Sequence, residues 1–389
     1  MKMQQAGLVA QFLESEKVSG VLLMLATIIS MSIANSSYGP GYAEFWHRQV
    51  GFEGAGLALR FSVEHWINDG LMAVFFLLVG LEIERELYVG ELADLKDATL
   101  PGFAALGGMV LPALLHFLLN QGTATQAGFG IPMATDIAFA LGVLALVGKR
   151  VPASLKIFLA TFAIIDDLGA IVLIALFYVR DFSLPYFSSA LVIFLGMLLL
   201  GRLGVRRLAW YLIPGAIMWY CILHSGVHAT LAGVLLAFAI PFGHGEDDSP
   251  STRLLHRLHK PVSFLIMPLF ALANTGIVLD GNWIGGLVTD NALGIFSGLL
   301  LGKPLGIVLF CVLAVKLGVS KLPQAVSWAD IIGAGLLGGI GFTMSIFITL
   351  LAFSDPATIQ GSKITVLLGS LVAGTAGYLV LSRARPGRQ

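Results

Sequence analysis

Charge is what this sequence has least of. Of 389 residues, 23 are Lys or Arg and 23 are Asp or Glu, 12% in all, where a soluble domain carries about 25%. Apolar residues of the AVILMFWYC set make up 57% of the chain, and the mean hydropathy is +0.88. That balance excludes an ordinary soluble enzyme, and it leaves no basic face for nucleic acid. Cysteine is almost absent too. Cys221 and Cys311 lie in apolar segments with no ligand spacing around them, which excludes a disulfide framework and a thiolate metal centre and leaves two small buried hydrophobes. A basic leader is missing as well. The first apolar run ends near Ala34, Asn35 and Ser36, but Glu14 and Glu16 stand beside Lys2 and Lys17 before it, so an uncleaved first helix is expected rather than a signal peptide.

What is present is length of apolar run. The runs approach the roughly 20 residues that a spanning helix needs and exceed the roughly 10-residue alternating segments of a barrel strand. Twelve candidate spans follow, at 18–35, 66–88, 98–119, 122–147, 153–178, 184–202, 207–223, 226–241, 262–279, 291–317, 328–352 and 358–381. The fold class expected is an all-α polytopic membrane protein, forming one domain over residues 1–389. With both termini cytoplasmic, only Arg48, Arg60, Arg180 and Lys363 fall outside and Lys303 falls within a span, leaving eighteen of the 23 basic residues inside. This asymmetry sets the orientation and supports an even number of spans. Between the first two spans, FWHRQVGFEGAGLALRFSV at 45–63 has strand formers on both sides of Glu53 and Gly54. It reads as an external β-hairpin or a plain loop; a hairpin edge would offer a pairing surface to a second subunit.

Several soluble-enzyme motifs are coincidental. Gly333, Gly335 and Gly338 match the spacing of a dinucleotide loop but lie inside a spanning run with no preceding strand. Gly302, Lys303 and Pro304 look like the end of a phosphate loop, yet Ser297 replaces its first glycine and Pro304 its hydroxyl residue. His224 and His228 are four apart without the glutamate of a zinc motif.

Four ionisable residues remain in mid-span: Asp136, Asp166, Asp167 and Lys303. A carboxylate at the bilayer centre costs roughly 2.5 to 3.5 kcal/mol on an insertion scale, so such residues are functional by default and need partners. Asp166 and Asp167 are adjacent, hence about 100° apart around a helix, and they face different surfaces. One of them is the natural counterion of Lys303, the only basic residue deep in a span. The other leaves an excess negative charge, which either a small hard cation or a proton can neutralise. Competition for one such site, with alternating exposure to the two faces, is what an antiporter requires. In GFGIPMATDIAFALG, Pro132 removes a backbone donor and Thr135-Asp136 reads as the cap of a new helix, so the fourth span is expected to break. In the eleventh, Gly338, Gly339 and Gly341 precede Thr343 at a similar depth. Interrupted helices in corresponding places point to a transport site built from inverted repeats.

These residues resemble the NhaA-type sodium/proton antiporter family over nearly the whole chain, through HWINDGLMAVFFLLVGLEIEREL, GIPMATDIAFALGVLALVG, FLATFAIIDDLGAIVLIALFY, PLFALANTG, GKPLGI and LLGGIGFTMSIFI. That family is itself one of the examples behind the inverted-repeat rule. The resemblance implies twelve helices with the fourth and eleventh broken and crossing, and a homodimer joined through the hairpin. It implies electrogenic exchange of sodium or lithium for protons in the bacterial inner membrane, with no cofactor and no enzymatic reaction. By motif, Asp167 takes the place of the principal cation ligand and Asp166 that of the partner of Lys303. Sodium is then held at Asp167 and Asp166, with Asp136 and Thr135 contributing at the break. Asp69 and His228 match positions tied to the pH response, to which His256 and His259 add two residues of a type that titrates near neutrality. Glu84 stands where well-studied relatives carry lysine, and Leu255 where they carry a glutamate associated with pH sensing, which leaves the pH profile open. A sodium-coupled solute symporter of related fold is the rival reading, although no further polar groups for an organic substrate are evident.

Overall fold

In a computed structural model, the described residues are 2–54, 57–243, 249–279, 281 and 283–383. The tip of the expected hairpin at 55–56, and Arg385 and Arg388 of the inside set, lie outside them. The described chain is almost wholly helical, as a backbone in hydrocarbon must be to satisfy its own N–H and C=O groups. Among the described residues, seven helices are long and apolar enough to cross a membrane, or nine if each of two bent pairs is one span. This is fewer than the twelve expected because several apolar runs are divided. Ala209–Leu223 is a short apolar helix, and within 226–241 only Leu231–Ala239 is α-helical. The first helix, Lys2–Ala34, turns by 114° into a second, Gly39–His47, at a break where the sequence reading expected the span simply to end.

The hairpin is real and narrower than 45–63. Strand β1, Gln49–Gly54, pairs antiparallel with β2, Leu57–Ser62, in the register Gln49 to Ser62 and Gly54 to Leu57. Residues 45–47 end the preceding helix instead, and Glu53 and Gly54 finish the first strand rather than forming the turn.

The chain divides into two compact units. The first comprises residues 1–24, 91–170 and 279–389; the second, 25–90 and 171–278. In the second unit, helix Met72–Val89 follows a π-helical turn at Trp66–Leu71 and packs on Leu231–Ala239 and Pro250–Pro261. In the first, helix Lys303–Lys316 lies along Leu95–Leu119 with Trp328–Gly338 packed beside it, and Pro356–Arg383 packs in turn on Trp328–Gly338. Gly107 and Gly306 meet across the contact between Leu95–Leu119 and Lys303–Lys316: a Cβ on either would run into the other's carbonyl oxygen. Small residues let membrane helices approach closely enough for dispersion to hold them where no hydrophobic driving force exists. The coincidental dinucleotide motif serves the same end, Gly333 facing Leu381 and Gly335 facing Pro304. Cys221 and Cys311 are both buried and free, as their apolar settings required.

Candidate functional site

Lys303 owes its position to a local defect. Pro304 has no N–H to give the preceding turn, and the chain takes up the mismatch in a π-helical turn over Gly298–Gly302, so that Lys303 opens the next α-helix. Its ammonium is wholly buried and donates to Asp166 Oδ2 at 2.7 Å and to the Met133 carbonyl. Asp166 and Asp167 lie on the helix Ala153–Phe177, and both are buried. The pairing expected of one aspartate therefore belongs to Asp166. Asp167, one residue on, is close enough for its charge to act on Lys303 without taking part in that hydrogen bond.

The two breaks come where proline and glycine place them. Gln126–Met133 winds as a tight 3-10 segment, residues 134–136 are extended, and Ile137–Val147 resumes as α-helix. Gly128, Gly130 and Pro132 leave the first half in the poorer 3-10 geometry. In the eleventh run, Trp328–Gly338 and Phe342–Ala352 meet at a 45° bend. Backbone groups freed at each break are satisfied by the other. Thr135 Oγ1 donates to the Gly338 carbonyl at 2.9 Å, the Asp136 N–H to that of Ile340 at 2.6 Å, and Ser345 Oγ to that of Ile131 at 2.6 Å.

Asp136 is the hub of this arrangement. Its Oδ1 accepts the Phe139 N–H at 3.1 Å, capping its own helix, while Oδ2 accepts the Thr343 N–H at 3.1 Å and the Thr343 hydroxyl, capping the other. One carboxylate thus faces the positive ends of two half-helices, and one ammonium, through the Met133 carbonyl, the negative end of a third. Asp136 and Thr135 are engaged in holding the breaks together, whereas the Asp166–Asp167 pair presents the denser negative charge. Thr343, which follows the glycines of the eleventh run, completes this centre together with Ser345 and the Met133 carbonyl, which the motifs do not mark. A buried hydroxyl inside TMSIFIT was a legible signal; a backbone carbonyl was not.

The residues matched to a pH response fall in the second unit. Asp69 sits on the π-helical turn Trp66–Leu71, 3.5 Å from His65 Nδ1, and its carbonyl accepts the Trp219 indole. His228 lies in the irregular segment before Leu231–Ala239, and His256 and His259 lie on Pro250–Pro261, the first exposed and the second half-buried. Glu84 is buried and accepts the Ser251 hydroxyl at 2.8 Å, while Leu255, one turn beyond Ser251, is buried as well. No group of three or more His, Cys, Asp or Glu that could hold a metal ion occurs among the described residues. A cation at this centre would meet two carboxylates with hydroxyl and carbonyl oxygens, a hard donor set suited to an alkali ion.

Comparison with known proteins agrees with this chemistry. Residues 10–381 match the family described as Na+/H+ antiporter 1. The chain is 60% identical over 377 residues to the Na(+)/H(+) antiporter NhaA of Dechloromonas aromatica (strain RCB), covering 96% of this chain and 95% of that relative. It is 55% identical over 370 residues to the protein of that name from Cytophaga hutchinsonii, covering 95% and 94%. With the one from Flavobacterium psychrophilum it shares 56% over 379 residues, covering 97% of each. A match of this extent and identity makes the chain a member of the Na+/H+ antiporter 1 family.

Proposed function

We propose that this protein is an electrogenic secondary antiporter that exchanges sodium or lithium for protons by alternating access. Its service to the cell is control of internal pH and sodium. The observation that carries the reading is the buried centre in which Asp166 is neutralised by Lys303 while Asp167 adds a second carboxylate beside it. A sodium ion at Asp167, sharing Asp166, balances that charge in one state and protons balance it in another. The two breaks supply the movable part: backbone that is not locked in a helical ladder can be tolerated in a membrane only where it lines a cavity, and here it is tied by a handful of hydrogen bonds around Asp136. The symporter alternative has no support from the family match.

On this reading the twelve spans form one transporter domain over 1–389, with inverted repeats and the fourth and eleventh helices crossing at the centre. Both termini face the cytoplasm of a bacterial inner membrane. No cofactor takes part, and the lipid bilayer is the solvent. The hairpin β1–β2, a two-stranded sheet with no third strand beside it among the described residues, joins two copies into a homodimer. His228, His256, His259 and Asp69 adjust the pH response.

The test is sodium-induced proton efflux from proteoliposomes holding the purified protein and no organic solute. Efflux that responds to sodium and lithium, with a reversal potential set by more than one proton per cation, is expected. Sodium movement that needs an added solute, or that carries no protons, would overturn the assignment.

A further inference from the structure

An ammonium has three N–H donors and no acceptor. At Lys303 two of them go to Asp166 Oδ2 and to the Met133 carbonyl, the two acceptors that hydrogen-bond it among the described residues. What stands over the ammonium instead is the face of Phe162, with Nζ 6.0 Å from the ring centroid. Phe162 is itself wholly buried and lies one helical turn before Asp166, on the same face of Ala153–Phe177. Its ring cannot drift. A Cβ at Gly338 would lie 3.2 Å from its Cε1, and one at Gly108 would lie 3.3 Å from its Cε2, so the ring is seated between two glycines of neighbouring helices. Gly338 is also the residue whose carbonyl takes the Thr135 hydroxyl at the break.

We infer that Phe162 is a positioning residue of the ion site: its ring face holds the Lys303 ammonium against Asp166 by a cation–π attraction, and its edge rests on the break in the eleventh run. A fully buried ammonium keeps much of its charge unscreened, and the negative face of an aromatic ring within about 6 Å attracts it. The consequence is competitive. The ring favours the Asp166–Lys303 pair over release of Asp166 to an arriving cation, so it sets how strongly sodium must bind to take a share of that carboxylate. An aliphatic side chain of similar bulk would fill the space without this bias.

The inference rests on the antiport reading for its kinetic part and is tested so that the two can fail separately. Phenylalanine at 162 is replaced by its mono-, di- and trifluorinated forms, which keep the shape of the ring while draining its negative face. The thermal midpoint of the purified protein in detergent is expected to fall stepwise along the series. In proteoliposomes the apparent KM for sodium is expected to fall in the same order, by roughly threefold to tenfold in total, while kcat changes little. In a Lys303→Gln background, the stepwise change in midpoint should vanish, because no cation remains over the ring. A flat or reversed series in the native background, or an unaltered series in the glutamine background, means that Phe162 is a steric wedge only. If the unmodified protein moves no protons in response to sodium, the antiport reading fails while the melting series still decides the role of the ring.

Discussion

Asp166 and Asp167 differ by one residue in sequence and by their whole electrostatic situation. Asp166 has a cation 2.7 Å away in a site closed to solvent; breaking such a pair on one side leaves the other charge buried alone, at a cost of about 3 to 5 kcal/mol. Lys303→Ala is therefore expected to lower the thermal midpoint in detergent at neutral or alkaline pH, and an unchanged midpoint would show that the pair is not holding the helices. Asp167→Asn keeps shape and loses charge, so exchange should disappear while the protein still inserts and melts near the native midpoint. Wild-type rates of sodium-driven proton movement in that variant would remove Asp167 from the site. Asp136 is different again. With three donors converging on its two oxygens, substitution by Asn turns one acceptor into a donor facing N–H groups, a loss of about 1 to 3 kcal/mol.

At the scale of elements, the contact between Leu95–Leu119 and Lys303–Lys316 decides where Lys303 stands, because Gly306 is one turn beyond it and meets the Gly107 backbone. Gly306→Val must separate the two helices and is expected to cost about 1 to 3 kcal/mol or more, read as a lowered melting midpoint. Gly102→Ala on Leu95–Leu119, where an added methyl meets nothing within 4 Å, should be neutral or stabilising by up to about 1 kcal/mol. Equal effects of the two would dispose of the close-contact argument. The last helix, Pro356–Arg383, starts at Asp355, outside the membrane span, where hydrogen bonds from the Thr358 hydroxyl and N–H hold the exposed carboxyl below its usual 3.8. A lowered value means stability that is present above pH 3.8 and lost as pH falls through the folded value. Amide exchange at Thr358 should accordingly quicken only in strong acid, and Asp355→Ala should quicken it already at neutral pH.

For the whole molecule the quantity to measure is the pH profile, because the resemblance sets Glu84 and Leu255 apart from the family pattern. Two devices compete: protons displacing sodium at the shared carboxylate, or a separate response on Pro250–Pro261. In that helix buried Leu255 stands where the resemblance would place an acid, and Ser251, one turn before it, donates to buried Glu84 on Met72–Val89. If competition governs, higher sodium moves the half-activation point to lower pH, because more protons are needed to displace more cation. The shift approaches about one unit per tenfold sodium if one proton competes for the carboxylate, and about half a unit if two compete. Replacing His256 and His259 together by Gln should then alter little. A half-activation pH that stays fixed over a hundredfold range of sodium, or a double variant that transports without pH dependence, would place the control on the helix.

The class of the protein, the two breaks, the family and the existence of a buried acid–base centre were all legible in the sequence, for one physical reason. In hydrocarbon every charge and every interrupted helix is costly, so the few that occur stand out against an apolar background. Local chemistry sufficed there: Pro132 and the glycines before Thr343 break helices by themselves, and Asp136 caps the one that follows. Other features depend on what lies across from a residue. The residue types in IIDD do not by themselves say which aspartate faces Lys303, and only the family resemblance assigned Asp166; physically the choice is made by the rotation of Ala153–Phe177 against a neighbour 137 residues away. Nor could the sequence show that Asp136 caps two helices at once, that the Met133 carbonyl takes the ammonium, or that 226–241 is helical only from Leu231. The hairpin's limits were likewise a matter of pairing: Gln49 finds Ser62 by register, and the residues before it prolong a helix. Local sequence determines where a backbone must bend or a charge must be compensated; only tertiary packing decides which partner, of several chemically equal ones, arrives within 3 Å.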